Sequence, residues 1–182
     1  MDQEFAQKVR RKRLRAAAVA VILLLLAGWV IFDMVVKKDA GEITVTVSID
    51  CSTLAEDMSR LEDEALRDYV PSDGVVLAPT EVKIAEGETA YDALSKICRA
   101  EDIHMEASYT PAYDSYYVEG INYLYEFDGG DLSGWMFQVN GVFPNYGCSE
   151  YVLKEGDSVQ WLYTCDLGKD VGGYVEGIED EE

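Results

Sequence analysis

The chain begins with an apolar block and then settles into alternation. Residues 16–32 read AAAVAVILLLLAGWVIF with no polar interruption, and Met34, Val35 and Val36 extend the run beyond Asp33. A run of that length falls within the ~17–25 residues of a membrane-spanning helix. Further on, residues 43–49 (ITVTVSI) alternate polar with β-branched positions, which predicts a strand. Residues 53–69 hold Leu54, Met58, Leu61 and Leu66 as a narrow stripe among charges, which predicts a short surface helix or a mobile connection. Pro71 to Gly74 is a turn signal. Residues 75–77 and 80–84 read as extended, with Pro79 as an interruption or an edge position.

The clearest element follows. Thr89 is placed to cap a helix, with Asp92 three residues later in a capping-box position. Tyr91, Leu94, Ile97 and Cys98 then recur on one helical face, and the helix ends near Glu101 and Asp102. After it the pattern is that of strands. Residues 104–109 alternate, and residues 110–128 are rich in tyrosine. Residues 134–139, Asn140-Gly141 and Val142-Phe143 form a strong hairpin signal, because Asn-Gly supplies the positive φ angles of a two-residue turn. Residues 151–153, 154–157 and 158–164 add a strand, a turn and a strand. This order predicts an α+β domain with a β-grasp-like mixed sheet and one main packed helix, preceded by an N-terminal transmembrane helix. The expected organisation is a basic leader (1–15), the anchor (16–36), a linker (37–42), the folded domain (43–168) and a disordered acidic tail (169–182).

Charge gives the anchor a direction. Lys8, Arg10, Arg11, Lys12, Arg13 and Arg15 precede the apolar run. Such a cluster stays cytoplasmic, so the C-terminal body is expected outside the cell membrane as a single-pass protein. The competing reading is a cleaved signal peptide, but Val35-Val36-Lys37-Lys38 offers no small-residue cleavage site. Leu26-Ala27-Gly28 resembles the start of a lipobox, yet Trp29 stands where the lipidated cysteine would be. From residue 39 onward there are 32 acidic and 7 basic residues. A body of that sign repels phosphate backbones, which argues against nucleic acid as a partner.

Four cysteines, Cys51, Cys98, Cys148 and Cys165, form no CxxC pair, so neither a metal site nor a thioredoxin-type site is indicated. In an exported domain they suggest two disulfides. Of three pairings, Cys51–Cys98 with Cys148–Cys165 is preferred; the alternative is four buried free thiols. His104 is the sole histidine. No nucleophile motif, phosphate loop or HExxH is present, so no catalytic residue and no resident cofactor are assigned.

Binding is better supported. Tyr113, Tyr116 and Tyr117 fall in an expected loop, and tyrosines offer flat apolar area with a hydroxyl. Trp135 is either a stacking surface or a hairpin anchor. Asn140 and Gly141 form the hairpin tip, and Phe143, Asn145 and Tyr146 a neighbouring apolar loop.

Residues 86–94 (EGETAYDAL), 133–141 (SGWMFQVNG), 144–148 (PNYGC), 154–157 (KEGD) and 163–165 (YTC), in that order, resemble the transcobalamin-like C-terminal domain family. The resemblance covers roughly residues 43–168. It implies a β-grasp-like fold and a ligand-binding surface toward cobalamin or a similar small ligand. In that family's vitamin carriers a large helical domain holds the other face of the ligand. No such domain is in this sequence, so a partner protein at the cell surface is expected to complete the site. The other expectation is an envelope domain that binds a protein and no small ligand.

Overall fold

The computed structural model describes residues 19, 21–22, 24–29, 41–112 and 114–173. The chain divides into two units, Met1–Gly41 and Glu42–Glu182. In the first unit Val19, Val21, Ile22 and residues 24–29 are helical and exposed. Among the described residues no helix is long and apolar enough to cross a membrane. The expected anchor therefore lies largely outside the described residues, as do the basic leader, most of the linker, Tyr113 and the end of the tail.

The second unit is a mixed α+β domain built on two open sheets. The larger has the order β2-β1-β7-β6, from β1 (Glu42–Asp50), β2 (Val75–Ala85), β6 (Gly134–Val139) and β7 (Ser158–Thr164). β1 pairs antiparallel with β2 and parallel with β7, and β6 pairs antiparallel with β7. The two central strands explain the core. Val45, Val47 and Ile49 alternate along β1, and Val159, Trp161 and Tyr163 along β7; all six are almost fully buried. Each such side chain contributes about 1.5–3 kcal/mol by leaving water. The smaller sheet, β3-β4-β5, comprises Met105–Thr110, Ser115–Ile121 and Leu124–Tyr125. Its middle strand β4 lies beside β6, which brings the two sheets together.

Two helices accompany them: α1 (Ser52–Glu56) and α2 (Ala90–Ala100). The α2 signal is realised in full. Thr89 Oγ1 accepts from the Asp92 N–H at 3.3 Å, and Asp92 Oδ2 accepts from the Thr89 N–H at 2.9 Å. Ala90, Ala93, Leu94, Ile97 and Cys98 form the buried face, which packs on β1 and β2.

Several expectations change. Residues 53–69 form the five-residue α1 and two 3-10 turns, Met58–Arg60 and Glu64–Tyr69, because the apolar stripe is too narrow for a longer helix. Pro79 does not interrupt β2. It sits on an edge strand, where the β1 register slips between Val47 and Ile49, and so needs no N–H. Residues 151–153 contribute only a bridge between Thr89 and Val152. Tyr116 and Tyr117 lie on β4, not in a loop. Residues 169–173, assigned to the tail, are held: Asp170 accepts from Thr164 Oγ1 and from the Cys165 N–H.

The expected disulfides are absent, and all four cysteines are buried free thiols. Topology separates the preferred partners. Cys51 follows β1, near the end of β7, and the cysteine that influences its ionisation is Cys165. Cys98 lies on the buried face of α2. Cys148 Sγ instead donates to the Tyr116 carbonyl at 3.4 Å.

Candidate functional site

The site begins with the way β4 is tied to the chain after the β6 hairpin. The Tyr116 N–H donates to Ser149 Oγ at 2.9 Å, and Ser115 Oγ and Ser149 Oγ lie 2.9 Å apart. These bonds pull Gly147 against β4. A Cβ at Gly147 would lie 1.9 Å from Ser115 Oγ, so only glycine permits the approach.

Three concavities open along this seam and meet at Tyr117. The first, about 230 Å³, is lined by aromatic and apolar side chains, among them Tyr116, Tyr117, Trp135, Phe137, Phe143 and Trp161. The second, about 380 Å³, adds Asn145, Tyr146 and Glu150. The third, about 400 Å³, runs over Phe127, Leu132 and Leu167, with Glu126 and Asp131 at its border.

Ring packing fixes the walls. Tyr116 stacks on Tyr91 with centroids 4.4 Å apart, and Tyr109 meets its edge at 5.4 Å. Phe137 stacks on Trp161 at 5.4 Å, and Tyr146 on Tyr151 at 5.6 Å. Tyr116, Tyr117 and Tyr146 nonetheless stay 40–49 % exposed. Exposed tyrosines held in fixed orientation bind flat apolar groups at little entropic cost. The Tyr117 hydroxyl donates to Glu126 Oε2 at 2.6 Å. Desolvation first, and that hydrogen bond second, raise its pKa well above the usual tyrosine value.

Of the sequence-predicted residues, Tyr116, Tyr117, Trp135 and Phe143 come together in the first concavity, and Asn145 and Tyr146 in the second. Trp135 is chiefly an anchor: it is buried, its Nε1 donates to the Leu124 carbonyl at 2.8 Å, and it meets Tyr163 edge-on. Asn140 and Gly141 line none of the three. They make the tight turn with φ of 52° and 80°, and the Asn140 amide is bonded to Asp157 and to the Ser158 N–H. Tyr113 lies outside the described residues. Sequence reasoning missed Phe137 and Trp161, which read as ordinary strand alternation. Their pairing across β6 and β7 is what makes them a wall. His104 stacks on Tyr123 at 4.2 Å, away from all three concavities.

No group of three or more potential metal ligands occurs among the described residues. The first concavity has no charged side chain in its lining, so its chemistry is stacking and neutral hydrogen bonding.

A domain of unknown function, DUF4430, matches residues 87–165, which include α2, β6, β7 and the seam. No curated protein matches by sequence. Among solved structures, haptocorrin in complex with Cbi is similar with a TM-score of 0.50 and 16 % identity, over 70 % of this chain and 26 % of haptocorrin. A protein from Ruminococcus gnavus ATCC 29149, named for a proposed metal-binding role, is similar at TM-score 0.40 and 9 % identity, over 67 % of this chain and 96 % of that one. This chain thus spans about a quarter of haptocorrin's length. The likeness is one of fold: the C-terminal unit has a transcobalamin-like fold.

Proposed function

We propose that this chain is a non-catalytic binding module, tethered by residues 16–36 to the cell membrane with its C-terminal domain outside the cytoplasm. Its β2-β1-β7-β6 sheet with α2 packed on it is read as a β-grasp. The ligand is cobalamin or a similar small molecule with a large flat apolar face, seated at the seam around Tyr116 and Tyr117. A partner protein completes the site, since the seam offers one face only. The observation that carries the reading is the meeting of three concavities at Tyr117, a half-exposed tyrosine whose hydroxyl is held by Glu126. Haptocorrin in complex with Cbi supports it through fold.

Equilibrium dialysis of the full chain against cobalamin and cobinamide tests it. Retention of either, lost when Tyr116 and Tyr117 are both replaced by Ala, is the expected result. No retention at hundreds of micromolar removes the corrinoid ligand. The exposed Tyr109, Phe127 and Leu132 favour the second reading, a protein-interaction surface. That reading gains if a surface partner is captured and no small ligand is retained.

A further inference from the structure

The third concavity has an apolar rim from which the fold gains little. Phe127, Leu132 and Leu167 line it and are 56, 45 and 61 % exposed. Two of the three sit in left-handed backbone, Phe127 at a φ of 71° and Leu167 at 46°. A bulky side chain is disfavoured there, whereas glycine takes that conformation freely. The rim is nevertheless held in place. The Leu167 N–H donates to the Leu132 carbonyl at 3.0 Å, and the Phe127 N–H to the Ser133 carbonyl at 3.1 Å. Two large apolar side chains thus stand where they strain the backbone and stay mostly in water. Strain that the surroundings hold in place is a mark of binding clamps.

We propose that this rim docks a partner protein through a segment whose apolar anchors are flanked by lysine or arginine. The inference rests on the reading above that a partner protein meets the seam, and it names that partner's chemistry. The rim supplies the apolar contact. Glu126 and Asp131 border the same concavity, and no lysine, arginine or histidine lines it. From residue 39 onward the chain holds 32 acidic and 7 basic residues, so its field draws in a cationic segment from a distance as well. The same charge disfavours the other occupants of an apolar rim. A second copy brings like charge, an anionic lipid surface is repelled, and residues 174–182 (YVEGIEDEE) carry five carboxylate side chains of their own. The backbone bonds that fix the rim keep the ordering cost of docking low.

The test uses the full chain and three labelled hexapeptides, KLKFLK, ELEFLE and KSKSSK, capped at both ends and followed by fluorescence anisotropy. KLKFLK is expected to bind saturably, at least about tenfold more tightly than either of the others, and to weaken as salt rises. Phe127→Gly and Leu167→Gly are each expected to weaken it at least about fivefold, as for an apolar anchor, without lowering Tm. Glu126→Gln with Asp131→Asn is expected to weaken it by about fivefold and to flatten the salt dependence; should the glycine variants fail to fold, this pair decides. Equal binding of KLKFLK and ELEFLE overturns the inference, and so does a fall of more than about 3 °C in Tm in both glycine variants, which would make these side chains structural. Self-association, or attachment to phosphatidylglycerol vesicles, that Leu167→Gly abolishes would give the rim to another occupant and overturns it too. So would a rise in KLKFLK affinity of about tenfold on deleting residues 174–182. Cobinamide retained by a chain that binds no KLKFLK overturns this inference and leaves the ligand reading standing. KLKFLK bound by a chain that retains no cobinamide supports the inference and removes the corrinoid ligand alone.

Discussion

The hydroxyl of Tyr163 sits at the centre of a buried network, and its removal has a calculable cost. It lies 2.9 Å from Ser133 Oγ, accepts from the Gly129 N–H at 3.0 Å and donates to the Tyr125 carbonyl at 2.7 Å. In Tyr163→Phe the Gly129 N–H keeps its bond to Ser133 Oγ at 3.0 Å. The Tyr125 carbonyl keeps only a long contact of 3.4 Å from the Asp128 N–H. All three bonds of the hydroxyl are lost, but the Gly129 N–H keeps an acceptor, so two go uncompensated and one buried acceptor is nearly stranded. At about 1 kcal/mol net for each bond the loss is about 2 kcal/mol. That is a sizeable part of the about 5–15 kcal/mol that holds a domain folded. For a domain of this size it corresponds to a fall in Tm of roughly 6–10 °C. Thermal and urea unfolding of both proteins, followed by near-UV circular dichroism, measure it. The effect should concentrate in the segment between β5 and β6, which borders the third concavity, and leave the first intact because Tyr163 does not line it. A loss below about 0.5 kcal/mol would refute the reasoning, because it would mean that water already reaches the network.

Three further outcomes follow from the same structure. Gly147→Ala should cost about 1–3 kcal/mol by overpacking against Ser115, and should weaken any ligand at the seam; urea unfolding with a parallel titration checks both. Thr89→Ala should lose about 1 kcal/mol by removing the α2 cap, with ligand affinity unchanged, as read from paired melts and titrations. Burial pushes the thiols of Cys51 and Cys98 up to about 12 and that of Cys148 up to about 11, so native protein at pH 8 should resist alkylation and unfolded protein should react fully. Because the fold favours the neutral thiol, that stability is whole below the unfolded cysteine pKa of ~8.5 and is lost as pH climbs toward 11–12; unfolding curves from pH 8 to 11 should show the decline.

How much of this was legible in the sequence depended on whether a signal was local. The α2 cap is written in Thr89 and Asp92, four residues apart counting both ends, and the helix face in Leu94, Ile97 and Cys98; each needs only neighbours in the chain. The Asn140-Gly141 turn is equally local. The seam is not. Phe137 and Trp161 are 24 positions apart and meet only because β6 and β7 pair in that register. Gly147 looks like an ordinary loop glycine until Ser115 is placed against it. Tyr116 and Tyr117 were picked out for their chemistry but assigned to a loop, since two consecutive exposed aromatic residues break the usual inward-outward alternation of a strand. The cysteine pairing was the least readable feature, because spacing says nothing of which side of a sheet a thiol faces. Cys98 proved to belong to the helix and Cys51 to the end of β1.

The seam's role as a ligand site is the central claim, and calorimetric titration of cobinamide into three proteins tests it most directly. These are the wild-type chain, Tyr117→Ala and Tyr123→Ala, the last removing an equally exposed tyrosine that lines none of the three concavities. The account predicts saturable heat with wild type and Tyr123→Ala alike, and at least about tenfold weaker binding with Tyr117→Ala, as expected for an aromatic anchor. Equal binding by Tyr117→Ala and wild type, or no heat from wild type, would contradict it.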